Sequence, residues 1–230
     1  MSLLIIVAAR NEAERIGATL EALAAAFPDA AVWVADDAST DGTAEVAARH
    51  GAAVATTGST RGKGGNVTAA ALEAQPSDRA DARRADQVVL LCDADLGASA
   101  GRLDSLVAAV TGGECDLAIA SFARRVGGGF GAARGAGGWA IRRLCGAELE
   151  APLSGQRAMR AEVLRGVLPF ADGFGMEVGM TVDAIRAGHS VREVEVDLEH
   201  RATGRTLGGF AHRARQLLDI LRAYSSRRRP

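Results

Sequence analysis

Apolar residues along this chain alternate between two patterns. Short unbroken runs, "SLLIIVAA" (2–9), "AVWVADD" (31–37), "AAVATT" (52–57), "QVVLLCD" (87–93) and "DLAIAS" (116–121), have the length and composition of strands covered on both faces of a parallel sheet. Between them, apolar positions recur at helical intervals. Ile16, Leu20, Leu23 and Phe27 make one such stripe in "NEAERIGATLEALAAAF", whose acids are expected in the first turn, where the helix dipole favours them. "STDGTAEVAARHG" predicts a helix opening from a Ser/Thr/Asp cap and closing at Gly51, "GKGGNVTAAALEAQ" a glycine-rich turn feeding a helix, and 102–111 a further helix. Strands alternating with helices predict an α/β fold: a mostly parallel sheet flanked by helices on both faces.

The second half changes character. "RRVGGGFGAARGAGG" (124–138) reads as a flexible arginine-bearing loop over a site. A helix around "WAIRRLCG", a short "PLSGQRAMR" segment, helices near 161–166 and 175–187, and a strand in "SVREVEVDL" follow. In the closing "FAHRARQLLDILRAY", Phe210, Ala214, Leu217, Leu218, Leu221 and Tyr224 form an apolar stripe bordered by Arg213, Arg215 and Arg222. A helix packed by that stripe on its own domain is the first expectation, and an interfacial membrane helix the second.

Composition narrows this picture only a little. With 230 residues, 48% of them hydrophobic, the chain can bury the core of one domain over 1–230, and a net charge of -1 argues against bulk attraction to nucleic acid. Cys92, Cys115 and Cys145 are widely spaced among apolar neighbours, which suits reduced thiols of a cytoplasmic protein rather than disulfides or a zinc site. The start of the chain shows no leader pattern, and no apolar run reaches the ~18 residues of a membrane span.

Charge at the strand ends carries the chemistry. In an open α/β sheet, ligands bind beyond the carboxyl ends of the strands. "VVLLCDADLG" places Asp93 and Asp95 there, two residues apart and so, by strand alternation, on one side. Two converging carboxylates repel unless a cation lies between them, and Mg²⁺ or Mn²⁺ suits, being held by one or two carboxylates with substrate phosphates completing the shell. Asp36 and Asp37 end the second strand as acceptors for a base or ribose, while Ser39 and Asp41 suit helix capping. Lys63 in "RGKGG" offers a cation and backbone N–H groups to a diphosphate. Together these describe a nucleoside-diphosphate site.

The series "AARNEAERIGATL", "VADDASTDGT", "GKGG", "LLCDADL", "PLSGQRAMR", "GFGMEVGMTVDAIRAGHSVREVEV" and "HRATGRT" resembles the family 2 glycosyltransferases with the Rossmann-like GT-A fold. Within them it is most similar to the dolichol- or polyprenol-phosphate mannosyltransferase and glucosyltransferase branch, with some likeness to glucosyl-3-phosphoglycerate synthases. The resemblance implies a nucleotide-sugar-binding half (1–121), an acceptor half (122–206) and a C-terminal amphipathic helix with a basic tail (207–230). It implies that Ala8, Arg10, Glu12, Asp37, Lys63, Asp93 and Ala94 hold a UDP- or GDP-linked sugar, and that Asp93, Asp95 and His200 hold Mg²⁺ or Mn²⁺. Arg124 or Arg125, Arg134, Ser154, Arg157 and Arg201 would gather around an acceptor phosphate, with Asp95, Arg201 and Glu177 in catalysis.

The chain departs from the family where Ala8 and Arg10 replace a proline and a tyrosine, and where Gly97 replaces a metal-binding glutamine. His200 fills that gap, or else is a surface residue or a phosphate donor. The expected partners are the donor and a phosphate-bearing acceptor, with peripheral membrane contact through the C-terminal helix and a homodimer as further expectations. A sugar-1-phosphate nucleotidyltransferase shares the sheet and metal logic, but would carry a glycine-rich loop after the first strand that "AARNEAERIG" lacks. A non-catalytic nucleotide-binding module is the third reading.

Overall fold

The computed structural model describes residues 2–74, 86–122, 131–198 and 207–228. Seven strands, β1 (Leu3–Ala9), β2 (Ala31–Asp36), β3 (Ala53–Thr56), β4 (Val88–Asp93), β5 (Leu117–Phe122), β6 (Arg157–Arg160) and β7 (Val191–Val196), form one sheet in the order β3-β2-β1-β4-β6-β5-β7. All neighbours are parallel except β6, which runs antiparallel between β4 and β5. Helices α1 (Ile16–Ala26), α2 (Thr43–Arg49), α3 (Gly62–Ala74), α4 (Asp104–Thr111), α5 (Gly131–Cys145), α6 (Ala161–Val167), α7 (Met176–Arg186) and α8 (Leu207–Arg227) surround it.

Side-chain alternation divides the core in two. Ile5 and Val7 of β1 with Leu90 and Cys92 of β4 face α1, α2 and α4, where Ile16, Leu20, Leu23, Ala47, Leu106 and Val110 meet them. Leu4, Ile6, Val89 and Leu91 point to the opposite face and meet Val67, Ala70, Leu164 and Met180 of α3, α6 and α7. A third cluster joins α5, α7 and α8 through Ile141, Val178, Val182 and Ile220. Burial on both faces is why the strand sequences read as continuous apolar runs.

Several elements differ from the sequence expectations. Helix α1 begins only at Ile16, so Glu12 and Glu14 lie in the preceding loop and its first turn carries no acid. The glycine-rich stretch is helical from Gly131 onward, and one of its glycines permits close packing: a Cβ on Gly137 would lie 2.9 Å from Leu153 Cδ2. Similarly Gly64, inside α3, leaves room for the Ala171 carbonyl, which a Cβ would meet at 1.9 Å. Helix α8 packs on the domain as first expected, but by only part of its apolar stripe, Tyr224 lying against Trp139 of α5. Gln216, Asp219, Ile220 and Ala223 are buried while Leu218 and Leu221 are about half exposed, because Asp219 turns inward to accept the Phe174 N–H and Arg227 pairs with Asp183.

Candidate active site

The carboxyl ends of β1, β2 and β4 lie side by side, with Ala8 paired to Asp93 and Ala9 to Asp36. Strand β4 stops at Asp93, and Ala94 and Asp95 form a turn, so the relative placement of the two acids is set by that turn and not by strand alternation. The turn is clamped from α1. Thr19, fully buried, donates its hydroxyl to the Ala94 carbonyl (2.7 Å) and accepts the Gly97 N–H (2.9 Å), while the Ala94 N–H donates to the Ala8 carbonyl (3.1 Å).

Asp93 sits at the centre of a charged cluster. Lys63, delivered by the first turn of α3, places Nζ 2.6 Å from Asp93 Oδ1 and 3.1 Å from Oε1 of the buried Glu177 on α7. Burial pushes the Lys63 ammonium down, but the two carboxylates outweigh it and hold the group well above the ordinary lysine value, so it is a permanent cation. On the other side, Nε2 of Gln156, itself fully buried, donates to Asp93 Oδ2 at 2.8 Å. A Cβ on Gly155 would stand 2.3 Å from Lys63 Nζ, so a side chain there would push the ammonium from its place beside Asp93. Burial also raises the neighbouring Cys92 thiol strongly, which excludes a thiolate nucleophile.

The adjoining loops form the other wall. Asp37, 5% exposed, accepts the Arg61 N–H on Oδ1 (2.7 Å) and faces Arg10 Nη1 at 3.8 Å. Arg10 therefore lies beside the acid assigned to the nucleoside. Asp36 accepts the Ser39 N–H on Oδ2, and its buried Oδ1 accepts no hydrogen bond among the described residues. Asp41 accepts the Thr43 N–H at the start of α2, whereas Ser39 accepts the Asn11 N–H and so ties two loops together instead of capping. Asn11 and Ala38 both adopt positive φ, a local strain that tends to collect at binding loops. Burial and then the negative charge of Asp95 raise the Glu12 carboxyl, with Arg15 opposing.

Arg157 requires a correction. It lies on β6 between two strands and is fully buried, with Nε, Nη1 and Nη2 donating to the Ser154 carbonyl, Thr181 Oγ1 and the Pro152 carbonyl. Desolvation pushes its guanidinium down to about 10, with Glu177 and Glu193 opposing. With all three nitrogens committed to the 152–154 turn and α7, it braces that turn and is removed from the acceptor set. Ser154, also buried, donates to Gln156 Oε1 at 3.3 Å. Arg134 is exposed on α5, while Arg124, Arg125, His200 and Arg201 lie outside the described residues.

The structure thus gathers Lys63, Asp93, Glu177 and Ser154, and adds Gln156 and Thr19. Gln156 carries no local signal of its own, because its bond to Asp93 spans 63 residues. Thr19 carries no local signal. Among the described residues no three His, Cys, Asp or Glu side chains form a metal cage. Two carboxylates at a strand end nevertheless fit a hard divalent cation that takes its remaining ligands from phosphate and water.

Comparisons with known proteins bear on the family and the fold. The model of the family described as Glycosyl transferase family 2 matches residues 4–165. Undecaprenyl-phosphate mannosyltransferase of Micrococcus luteus is 32% identical over 220 residues, covering 89% of this chain and 86% of that protein. Glucosyl-3-phosphoglycerate synthase from Mycobacterium tuberculosis, in complex with Mn²⁺ and UDP-glucose, superposes with a TM-score of 0.73 at 26% identity, over 97% of this chain and 79% of that one. The same enzyme with Mn²⁺, UDP-glucose and glycerol 3-phosphate gives a TM-score of 0.73 at 26% identity, over 97% and 80% of the two chains.

Proposed function

Because the chain belongs to glycosyl transferase family 2 and has the GT-A fold, we propose that it moves a sugar from a UDP- or GDP-linked donor to an acceptor bearing a phosphate. The observation that carries this reading is the cluster of Lys63, Asp93 and Glu177 at the sheet's carboxyl edge, one strand from Asp37. Asp37, with Arg10, Glu12 and the backbone at Ala8 and Ala94, faces the nucleoside, and Lys63 faces the diphosphate. Asp93 and Asp95 would hold Mg²⁺ or Mn²⁺, with His200 as the candidate third ligand; when bound, the ion supplies charge neutralisation for the departing diphosphate. The M. tuberculosis relative was crystallised with Mn²⁺ or Mg²⁺ and UDP or UDP-glucose, which supports the donor and ion.

In the transfer, the bond between the anomeric carbon and the diphosphate oxygen breaks, its electron pair leaving with the nucleoside diphosphate, and an acceptor oxygen bonds to that carbon. Negative charge grows on the diphosphate, where the fixed ammonium of Lys63 can meet it without reorganising. A phosphate acceptor is already ionised at neutral pH, so its attack releases no proton. A hydroxyl acceptor would hand one to a base, for which Glu177 is the candidate. The named relatives support a phosphate-bearing acceptor: one is named for undecaprenyl phosphate, and the other was crystallised with glycerol 3-phosphate. Ser154, Arg134, Arg124 or Arg125 and Arg201 remain the residues proposed to meet it.

No helix among the described residues is long and apolar enough to cross a membrane. A lipid-linked acceptor would be approached from a membrane surface, and the outward stripe of α8, Leu218 and Leu221 beside Arg215 and Arg222, suits that contact.

The test is release of free nucleoside diphosphate from UDP- and GDP-sugars with Mg²⁺ or Mn²⁺, in the presence of polyprenyl phosphate or small phosphorylated acceptors. Metal-dependent release with one donor, abolished in Asp95→Ala, is expected. Full activity of that variant, or release indifferent to chelator, would refute the metal assignment.

A further inference from the structure

Asp93 has two carboxylate oxygens, and they meet different partners. Oδ1 receives the ammonium of Lys63, and Oδ2 receives the amide Nε2 of Gln156. A carboxylate carries no proton at neutral pH, so the Gln156 group facing it has to be the NH₂ and not the carbonyl. Ser154 completes that choice by donating its hydroxyl to Gln156 Oε1, and Arg157 fixes Ser154 in turn by donating to its backbone carbonyl. The chain of contacts runs from a buried arginine through a buried serine and a buried glutamine to one oxygen of the first acid. Gln156 is fully buried, and its amide is committed at both ends.

We propose that Gln156 is a positioning residue: by holding Asp93 Oδ2 it fixes the plane of the carboxylate and so the direction in which Asp93 meets the divalent cation. A neutral donor suits the task. A second cation there, in addition to Lys63, would further neutralise Asp93 and weaken its pull on a metal ion, whereas the amide orients the carboxylate without adding positive charge. Lys63 bonds the other oxygen, so the ammonium on Oδ1 and the amide on Oδ2 both act on the rotation of the carboxylate about its Cβ–Cγ bond. This inference rests on the proposed assignment of Asp93 and Asp95 to the divalent ion.

The test is direct titration of Mn²⁺ into the unliganded protein, followed by the free-ion electron paramagnetic resonance signal, with the half-saturating Mn²⁺ concentration for turnover measured alongside. Gln156→Met keeps the volume and removes the donor; its Mn²⁺ dissociation constant should rise about 10–100-fold, as for other residues that orient a metal ligand. Asp95→Ala, measured in the same series, should bind no Mn²⁺ at this site. Ser154→Ala removes the bond that orients the amide and, read in the unliganded protein where its proposed acceptor contact plays no part, should weaken Mn²⁺ about 2–10-fold, the range for one neutral hydrogen bond, which keeps the test open if Gln156→Met fails to fold. Wild-type Mn²⁺ affinity in a folded Gln156→Met, or in Ser154→Ala where only that variant folds, with Asp95→Ala defective, would overturn the positioning role alone. Wild-type affinity in Asp95→Ala as well would overturn the metal assignment and the inference with it.

Discussion

Thr19 belongs to α1 yet holds a turn 75 residues away, between the two acids on which the proposed chemistry depends. Its hydroxyl is the link between the Ala94 carbonyl and the Gly97 N–H. Thr19→Val keeps the shape and strands a buried donor and acceptor, so it should cost about 1–3 kcal/mol. Denaturant melts are expected to show that loss, together with weaker metal binding from the loosened turn; a variant matching the wild type in both would show the clamp to be idle. At this scale the acids and the lysine were legible in the sequence because charge at the end of an apolar run is a local signal. Arg157 was misassigned because nothing in "PLSGQRAMR" shows that its strand lies between two others with both faces covered. Gln156 and Thr19 act through bonds spanning 63 and 75 residues, which no window of sequence displays.

Among elements, β6 is the insertion that completes the site, since it runs antiparallel between β4 and β5 and brings the 154–156 turn to Asp93. The far edge of the sheet is stapled by Asp116, just before β5, whose carboxylate accepts the Ser190 N–H and hydroxyl and pairs with Arg160 of β6. The Ser190 hydrogen bonds, backbone first, hold the Asp116 carboxyl below its ordinary value. A carboxyl depressed in the folded state adds stability above its unfolded pKa of ~3.9, and that stability is lost as pH falls through the lower folded value. Asp116→Asn should therefore cost about 1–2 kcal/mol at pH 7, and the gap to the wild type should close as pH falls below ~4. Urea melts across that range check it, and a gap independent of pH would mean the charge contributes nothing. Helix α8 shows the opposite relation of pattern to packing: its leucine stripe foretold the helix but not the buried face, because Asp219 and Arg227 are anchored by polar contacts that periodicity does not weigh.

On the scale of the whole molecule, that outward leucine stripe bears on where the protein works. If α8 rests on a membrane, sedimentation with anionic vesicles should fall at least about fivefold in the double variant Leu218→Asp, Leu221→Asp, since each substitution sets a charge in the apolar boundary. The melting temperature should hardly change, both side chains being already exposed. Equal sedimentation of the two proteins would remove α8 from the contact. By itself the sequence determined the α/β architecture, six of the seven strands, and the acids at the strand ends with the lysine at a helix start, because burial on two faces and charge after a buried run are written in neighbouring residues. Only the tertiary structure decided the reversal of β6, the burial of Arg157, the face α8 presents, and the enclosure of Asp93 by Lys63, Glu177 and Gln156. Each of those depends on which distant segments meet, and the free energy that selects the meeting is summed over the whole core.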